Sequence, residues 1–310
     1  MDQIPWVEKY RPTEFDSIIL DELNQTILKE MLKKNLLPNL IFYGPPGTGK
    51  TTTIINFINE FQKKNNQVHK ELIIHLNASD DRGIEIIRNQ IFSFTNSSYL
   101  FNKGIKFIIL DEVDYMTKNA QFLLYTLMKN NNQNVRFCLI CNYISKLDHS
   151  LKNLCMPFKF NVLPKPNIFS FIKNICEKEN IENISYDNIN DIIELFNSDI
   201  RSMINYLQRQ YKSKNDTPVY IISNDIIKEL ITSFINESIT TSVSNINSYM
   251  YNYNIEKQEL IIYIFKYISK NYKITKKGII FIKSILHNNN YYVDGFNKYF
   301  ISNVVSLLKE

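Results

Sequence analysis

The clearest chemistry lies in GPPGTGKT: Gly44, Pro45, Pro46, Gly47, Thr48, Gly49, Lys50 and Thr51 follow G-x-x-x-x-G-K-T. Glycines at this spacing let backbone N–H groups turn inward around phosphate oxygens. A helix opening at the lysine adds positive potential. Lys50 is then placed to reach the outer phosphates of a nucleoside triphosphate, and the Thr51 hydroxyl to ligate Mg²⁺. Further on, FIILDEVD (107–114) ends an apolar run in Asp111 and Glu112. One carboxylate there holds the magnesium through water, while its neighbour orients or deprotonates an attacking water. Phosphoryl transfer needs such a pair because its transition state is stabilised chiefly by positioning and charge.

A third stretch, NASDDRGIEIIRNQI (77–91), sets Arg82 and Arg88 around the start of a helix. Positive charge placed there suits a phosphate backbone. A capped helix with a solvated arginine face explains the residues equally well. Cys138 and Cys141 form a C-x-x-C, but inside FCLICN they read as two core residues. No second C-x-x-C or paired histidine completes a zinc site, and His69, His75, His149 and His287 are scattered.

The elements around these residues alternate. NLIFYG, ELIIHLN, IKFIILDE and VRFCLICN are apolar strand-like runs separated by helical patterns. That alternation predicts an α/β fold with a parallel sheet covered on both faces, and with its site at the carboxyl ends of the strands. After LPKPN (163–167) only helical patterns remain, broken by KSKNDTP (212–218). Three parts are expected: an α/β nucleotide-binding domain over 1–163, a small helical lid over 164–222 and an all-helical domain over 223–310.

A net charge of +5 permits a polyanionic partner without identifying one. The start, MDQIPWVEKYRP, has no signal-peptide pattern, and the most apolar window, ELIIYIFKYI, is short and interrupted by Lys266. The expectation is a soluble, intracellular protein with no membrane partner.

WVEKYRP (6–12), FYGPPGTGKTT (42–52), NASDDRGIEIIRNQI (77–91), ILDEVDYMT (109–117) and CNYISK (141–146) occur in this order. Together they resemble the small subunits of replication factor C, the AAA+ clamp loaders of eukaryotes and archaea. The resemblance is dense through residue 165 and thinner through SDIRSMINYLQ (198–208). Beyond that it is a matter of helical character and length. It implies an ATPase that binds ATP and Mg²⁺ between the α/β domain and the lid, at subunit boundaries of a five-membered spiral. Val7, Tyr10, Arg11 and Pro12 match the segment that wraps the adenine, and Thr52 extends the phosphate loop. Asn142 matches sensor 1, which helps place the attacking water. Arg201 matches sensor 2, which reads the γ-phosphate; a surface arginine paired with Asp199 or Glu194 is the other reading.

The resemblance also implies partners. Arg82, Arg88 and Lys146 match positions that touch DNA phosphates inside the spiral. QIFSFTNSSYLF (90–101) resembles the edge that docks on the sliding clamp, with Ile91, Phe94 and Phe101 either as exposed anchors or packed on their own sheet. The last helices match the collar that joins the subunits. Partners are thus other subunits of a hetero-pentamer, a sliding clamp and primer–template DNA. The setting is a nucleus, or a viral replication compartment.

One position departs from the pattern. In the family the helix after sensor 1 ends in Ser-Arg-Cys, and that arginine enters the neighbouring subunit's ATP site. Aligning LKNLCMPFKF on Cys155 puts Asn153 and Leu154 where Ser and Arg belong, and no arginine occurs between 137 and 200. Lys152 falls on another face of the helix and is a poorer planar clamp for phosphate oxygens. The expected subunit hydrolyses ATP in its own site, weakly when alone, and completes no site for its neighbour. Two rivals are a nucleotide-binding scaffold without turnover and a homo-hexameric AAA+ DNA motor such as a branch-migration helicase.

Overall fold

The computed structural model describes residues 4–79, 83–96, 104–130, 134–181, 184–196, 199–213, 222–253, 255–287, 291 and 295–309; the side chains of 83–88, 96, 210–213 and 309 are outside that description. Contacts divide the chain into two units. Met1–Phe171 joins Asn197–Ser202, and Ile172–Phe196 joins Met203–Glu310.

The first unit is built on five strands: β1 (Leu40–Tyr43), β2 (Ile73–Asn77), β3 (Lys106–Asp111), β4 (Val135–Cys141) and β5 (Met156–Lys159). Every pairing is parallel, in the order β2-β3-β4-β1-β5. Its helices are α1 (Trp6–Lys9), α2 (Glu22–Lys34), α3 (Lys50–Lys64), α4 (Gly83–Asn96), α5 (Lys118–Asn130) and α6 (His149–Lys152). Strand residues alternate between two cores. Leu40, Phe42, Phe107, Ile109, Cys138 and Ile140 pack with Leu28 of α2 and Phe57 and Phe61 of α3. Ile41, Ile108, Leu110, Phe137 and Leu139 face the other way, against Ile91 of α4, Leu124 and Met128 of α5 and Leu151 of α6. Burial on both faces is why β1, β3 and β4 read as unbroken apolar runs.

Register decides what meets at the carboxyl edge. Tyr43 of β1 pairs with Cys141 of β4, and Leu110 of β3 pairs with Leu139 of β4. The segments after β1, β3 and β4 therefore leave the sheet side by side. β1 lies between β4 and β5 while the chain next forms the far strand β2, so this edge contains the topological switch point where such sheets hold ligands.

The second unit takes in the second half of α7 (Lys165–Lys178), α8 (Tyr186–Phe196) and most of α9 (Ile200–Ser213). It continues through α10 (Asn224–Asn236), α11 (Ile239–Tyr253), α12 (Lys257–Asn271), α13 (Lys276–His287) and α14 (Phe296–Lys309). Leu230, Ile264, Ile268, Phe300 and Val304 centre its core. Lys270 to Glu194 (2.6 Å) and Arg209 to Glu259 (3.2 Å) tie the earlier helices of this unit to α12.

Candidate active site

The phosphate loop takes backbone conformations that its glycines permit. Gly44, Gly47 and Gly49 have φ of 145°, 72° and 85°. A Cβ on Gly44 would stand 2.1 Å from the Phe160 carbonyl oxygen, and one on Gly47 2.0 Å from Asp199 Oδ1. No other residue fits either place. Thr48 is buried and donates to the Pro45 carbonyl (2.8 Å), which closes the turn from within.

Lys50 opens α3 with its ammonium inside the loop. Nζ donates to the carbonyls of Gly44 and Pro45 (2.7 Å each) and to Asn142 Oδ1 (3.0 Å). Burial pushes its pKa below the usual lysine range, against the pull of Asp111. Asn142 follows β4 directly, so the parallel register of β1 and β4 brings it to the loop. Thr51 Oγ1 donates to Asp111 Oδ2 at 2.8 Å. Burial works to raise the Asp111 pKa, but the neighbouring His75 imidazole and hydrogen bonds from Thr51 and the Glu112 N–H outweigh it and hold the carboxyl below its ordinary value. Next to it, Glu112 has φ 57° and ψ 35°, a left-handed conformation that is uncommon without glycine. Two turns thereby meet: the Glu112 N–H binds Asp111 Oδ1 (2.9 Å), and its carbonyl accepts from Tyr115 N (3.0 Å).

Oxygen donors on Thr51 and Asp111, beside a glycine cradle that admits no Cβ at two positions, fit a magnesium nucleotide. Arg11 reaches the same region. Its Nε donates to Thr52 Oγ1 (3.2 Å), and the Pro12 carbonyl accepts from Asn56 Nδ2 (2.8 Å). Val7 is half-buried on α1, and Tyr10 packs edge-on against Trp6 with centroids 6.4 Å apart. Asp199 caps α9 by accepting from Ser202 N (3.1 Å) and Oγ (2.9 Å), which places Arg201 in the first turn. The guanidinium is close enough for its charge to lower the Lys50 pKa. Asp199, one of its two expected partners, is taken up by this cap.

In QIFSFTNSSYLF (90–101) the structure decides between the two readings of Ile91. Ile91 is 1% exposed and packs into the sheet, so it is no exposed anchor; the next residue, Phe92, is 59% exposed. Phe94 also packs against that core. Lys106 Nζ stands 5.5 Å from its ring centroid and donates to the carbonyls of Phe94 (2.7 Å) and Thr95 (3.1 Å). A cation at that helix end satisfies carbonyls the helix leaves open and fixes α4 on the sheet. Lys146 is exposed beyond β4. Arg82 and Phe101 lie outside the described residues, as does the side chain of Arg88.

Sequence reading missed three partners. His75 Nε2 lies 3.9 Å from Asp111 Oδ2, because Asn77 pairs with Asp111 and His75 is on the same face two residues back. Asp114 is buried and accepts from Tyr143 N (3.2 Å). Gln121, also buried, donates to the carbonyls of Met116 and Lys146 (3.2 Å each) and accepts from Asp148 N (2.8 Å). A signal for the last two was present: polar residues at core-facing positions must find partners.

Residues 40–162 match the family model for the ATPase family associated with various cellular activities. Replication factor C subunit 3 of Saccharomyces cerevisiae is 40% identical over 228 residues, 74% of this chain and 66% of that protein. Human replication factor C subunit 5 is 36% identical over 250 residues, 78% of this chain and 73% of that protein. The chain belongs to the replication factor C small-subunit family. A putative replication factor C small subunit of Acanthamoeba polyphaga mimivirus is 38% identical over 242 residues, 74% of this chain and 69% of that protein. The chain thus spans just under two thirds of the yeast relative's length, and somewhat more of the other two. Among solved structures, the Thermotoga maritima RuvB Holliday junction branch migration motor matches with a TM-score of 0.55 at 14% identity, over 88% of this chain and 98% of that one. At that identity the likeness speaks to fold alone. No helix among the described residues is long and apolar enough to cross a membrane.

Proposed function

We propose that this replication factor C family chain is an ATPase subunit of a clamp loader. With other subunits, in a hetero-pentamer, it opens a sliding clamp and places it on primer–template DNA. The observation that carries this reading is the meeting of Lys50 with Asn142, and of Thr51 with Asp111, at the carboxyl edge of a sheet in a chain of this family.

In this reading Lys50 neutralises the outer phosphates, and Thr51 and Asp111 hold magnesium, which draws charge from the phosphate oxygens. Glu112 takes the proton of the attacking water. Asn142 orients that water, and Arg201 senses the γ-phosphate. Val7, Tyr10, Arg11 and Pro12 serve the adenine. Arg82, Arg88 and Lys146 serve DNA phosphates, so recognition follows structure rather than sequence. The stretch over 90–101 serves the clamp, with Phe92 as its exposed ring and Ile91 holding α4 to the sheet. Residues 1–163 act as the nucleotide domain, 164–222 as the lid and 223–310 as the collar. The relatives support a nuclear setting or a viral replication compartment.

Leu154 favours a second reading. Half-buried against the sheet, it offers no guanidinium to a neighbour, as a scaffold subunit without turnover would also allow. The test is ATPase activity of the chain with candidate partner subunits, a sliding clamp and primed DNA. Stimulated turnover and clamp loading that vanish in Lys50→Ala support the motor. Both unchanged in Lys50→Ala overturn it, and nucleotide binding without single-turnover hydrolysis in the complex favours the scaffold.

A further inference from the structure

Two tyrosines outside the ATP site hold their rings largely in solvent. Tyr115 is 61% and Tyr143 62% exposed. They leave the sheet after β3 and β4, and one cation joins them. Lys146 Nζ stands 5.1 Å from the Tyr115 ring centroid and 5.2 Å from that of Tyr143. Among the described residues Lys146 forms no ion pair, so its charge faces the rings and solvent.

The backbone under this cluster is fixed from below. Asp114, directly before Tyr115, is 5% exposed and accepts the N–H of Tyr143 at 3.2 Å. Gln121 bridges the carbonyls of Met116 and Lys146, and Lys146 N donates to the Tyr143 carbonyl (3.1 Å). Both turns are thus held by buried side chains, and the rings start from a preorganised frame. Holding rings in place before binding lowers the entropy cost of stacking on them.

We infer that Tyr115, Tyr143 and Lys146 form a stacking platform for unpaired bases of a nucleic acid strand. The inference deepens the clamp-loader reading and rests on it for the source of the strand, the unpaired part of the template. A nucleobase offers a π-face of any sequence to the tyrosine rings, and an adjacent phosphate takes the ammonium. Duplex DNA offers the phosphate but keeps its π-faces inside the stack. A phosphate contact alone needs Lys146 and leaves both exposed rings without a purpose.

The test uses fluorescence polarisation of the full chain, alone and with its partner subunits. The probes are fluorescein-labelled oligothymidylate and an abasic oligonucleotide of equal length and charge. Oligothymidylate is expected to bind more tightly than the abasic strand. Tyr115→Ala and Tyr143→Ala are each expected to weaken oligothymidylate binding roughly 5- to 150-fold, with abasic binding nearly unchanged. Phe at either position retains the ring and is expected to restore binding, which separates stacking from misfolding. Lys146→Ala is expected to weaken both probes alike and to reduce the salt slope by about 1. Equal affinity for the two probes, or Ala variants that bind oligothymidylate like wild type, overturns the platform and leaves the loader reading standing. Ala variants that lose a sliding clamp or a partner subunit while keeping DNA overturn it in favour of a protein surface. No binding of any DNA by chain or complex overturns the loader reading and the platform together.

Discussion

Thr51 Oγ1 donates to Asp111 Oδ2 at 2.8 Å across 60 residues of sequence, joining the phosphate loop to the end of β3. The bond aims both oxygens at one point, where a hard cation is served by oxygen ligands. Thr51→Ala removes a ligand together with the group that orients Asp111. The magnesium concentration for half-maximal ATPase in the assembled complex should rise roughly 10- to 100-fold. A magnesium titration that leaves the midpoint in place would sink the shared-site assignment.

Asn142 takes a hydrogen bond from Lys50 and follows β4 at the carboxyl edge. If it positions the attacking water, its contribution lies in the transition state. Asn142→Ala should lower stimulated kcat roughly 10²- to 10³-fold, with ATP affinity changed only a few-fold. Fluorescent-nucleotide binding beside steady-state turnover separates the two. A loss confined to affinity refutes the role.

Leu154 packs half-buried against the core shared by Leu151, and its carbonyl accepts from Asn39 Nδ2 (3.4 Å). An arginine there has to swing toward solvent, at a stability cost of about 1 kcal/mol. A finger arginine is worth roughly 10³ to 10⁵ in rate, so even a poorly aimed one has room to act. Leu154→Arg should raise turnover at the neighbouring subunit's site at least about tenfold. Complexes carrying the phosphate-loop lysine variant in every other site isolate that turnover, and no change there means the stretch lacks no catalytic arginine.

Ile91 and Phe92 are consecutive on α4 but opposite in environment. Ile91→Ala should destabilise the first unit by about 2 to 5 kcal/mol. Phe92→Ala should stay within about 0.5 kcal/mol and weaken binding to a sliding clamp. Chemical denaturation with a clamp pull-down tests both. The reverse pattern would mean that α4 is turned the other way on the sheet.

All four cysteines are free thiols: Cys138, Cys141 and Cys176 are buried and Cys155 is partly so. Burial pushes Cys141 and Cys155 up to about 12 and Cys176 to about 11, and Cys138 is raised as well. A raised thiol pKa shrinks the thiolate fraction at any pH below it, and the thiolate is the reactive form. At pH 8 the folded protein should therefore alkylate with iodoacetamide at least about 10²-fold more slowly than the denatured chain. Fast native labelling of Cys138 and Cys141 would revive a redox role for the C-x-x-C.

The sequence by itself determined the parts whose chemistry is local. A phosphate loop is eight consecutive residues whose glycines set the backbone, so Gly44 to Thr51 could be read without a fold. Asp111 and Glu112 were equally legible because an apolar strand must stop where a carboxylate begins. Strand–helix alternation gave the parallel sheet, since both faces are buried. Only the tertiary structure decided which distant residues meet. Strand order and register place Asn142 on Lys50 and His75 beside Asp111, and no spacing along the chain encodes either distance. The rotation of α4 about its axis hides Ile91 and exposes Phe92, though both are apolar neighbours. Asp114 and Gln121 lock two turns that sequence shows only as polar residues among apolar ones. The two rings around Lys146 come from separate turns, and they become one surface only when β3 and β4 lie side by side.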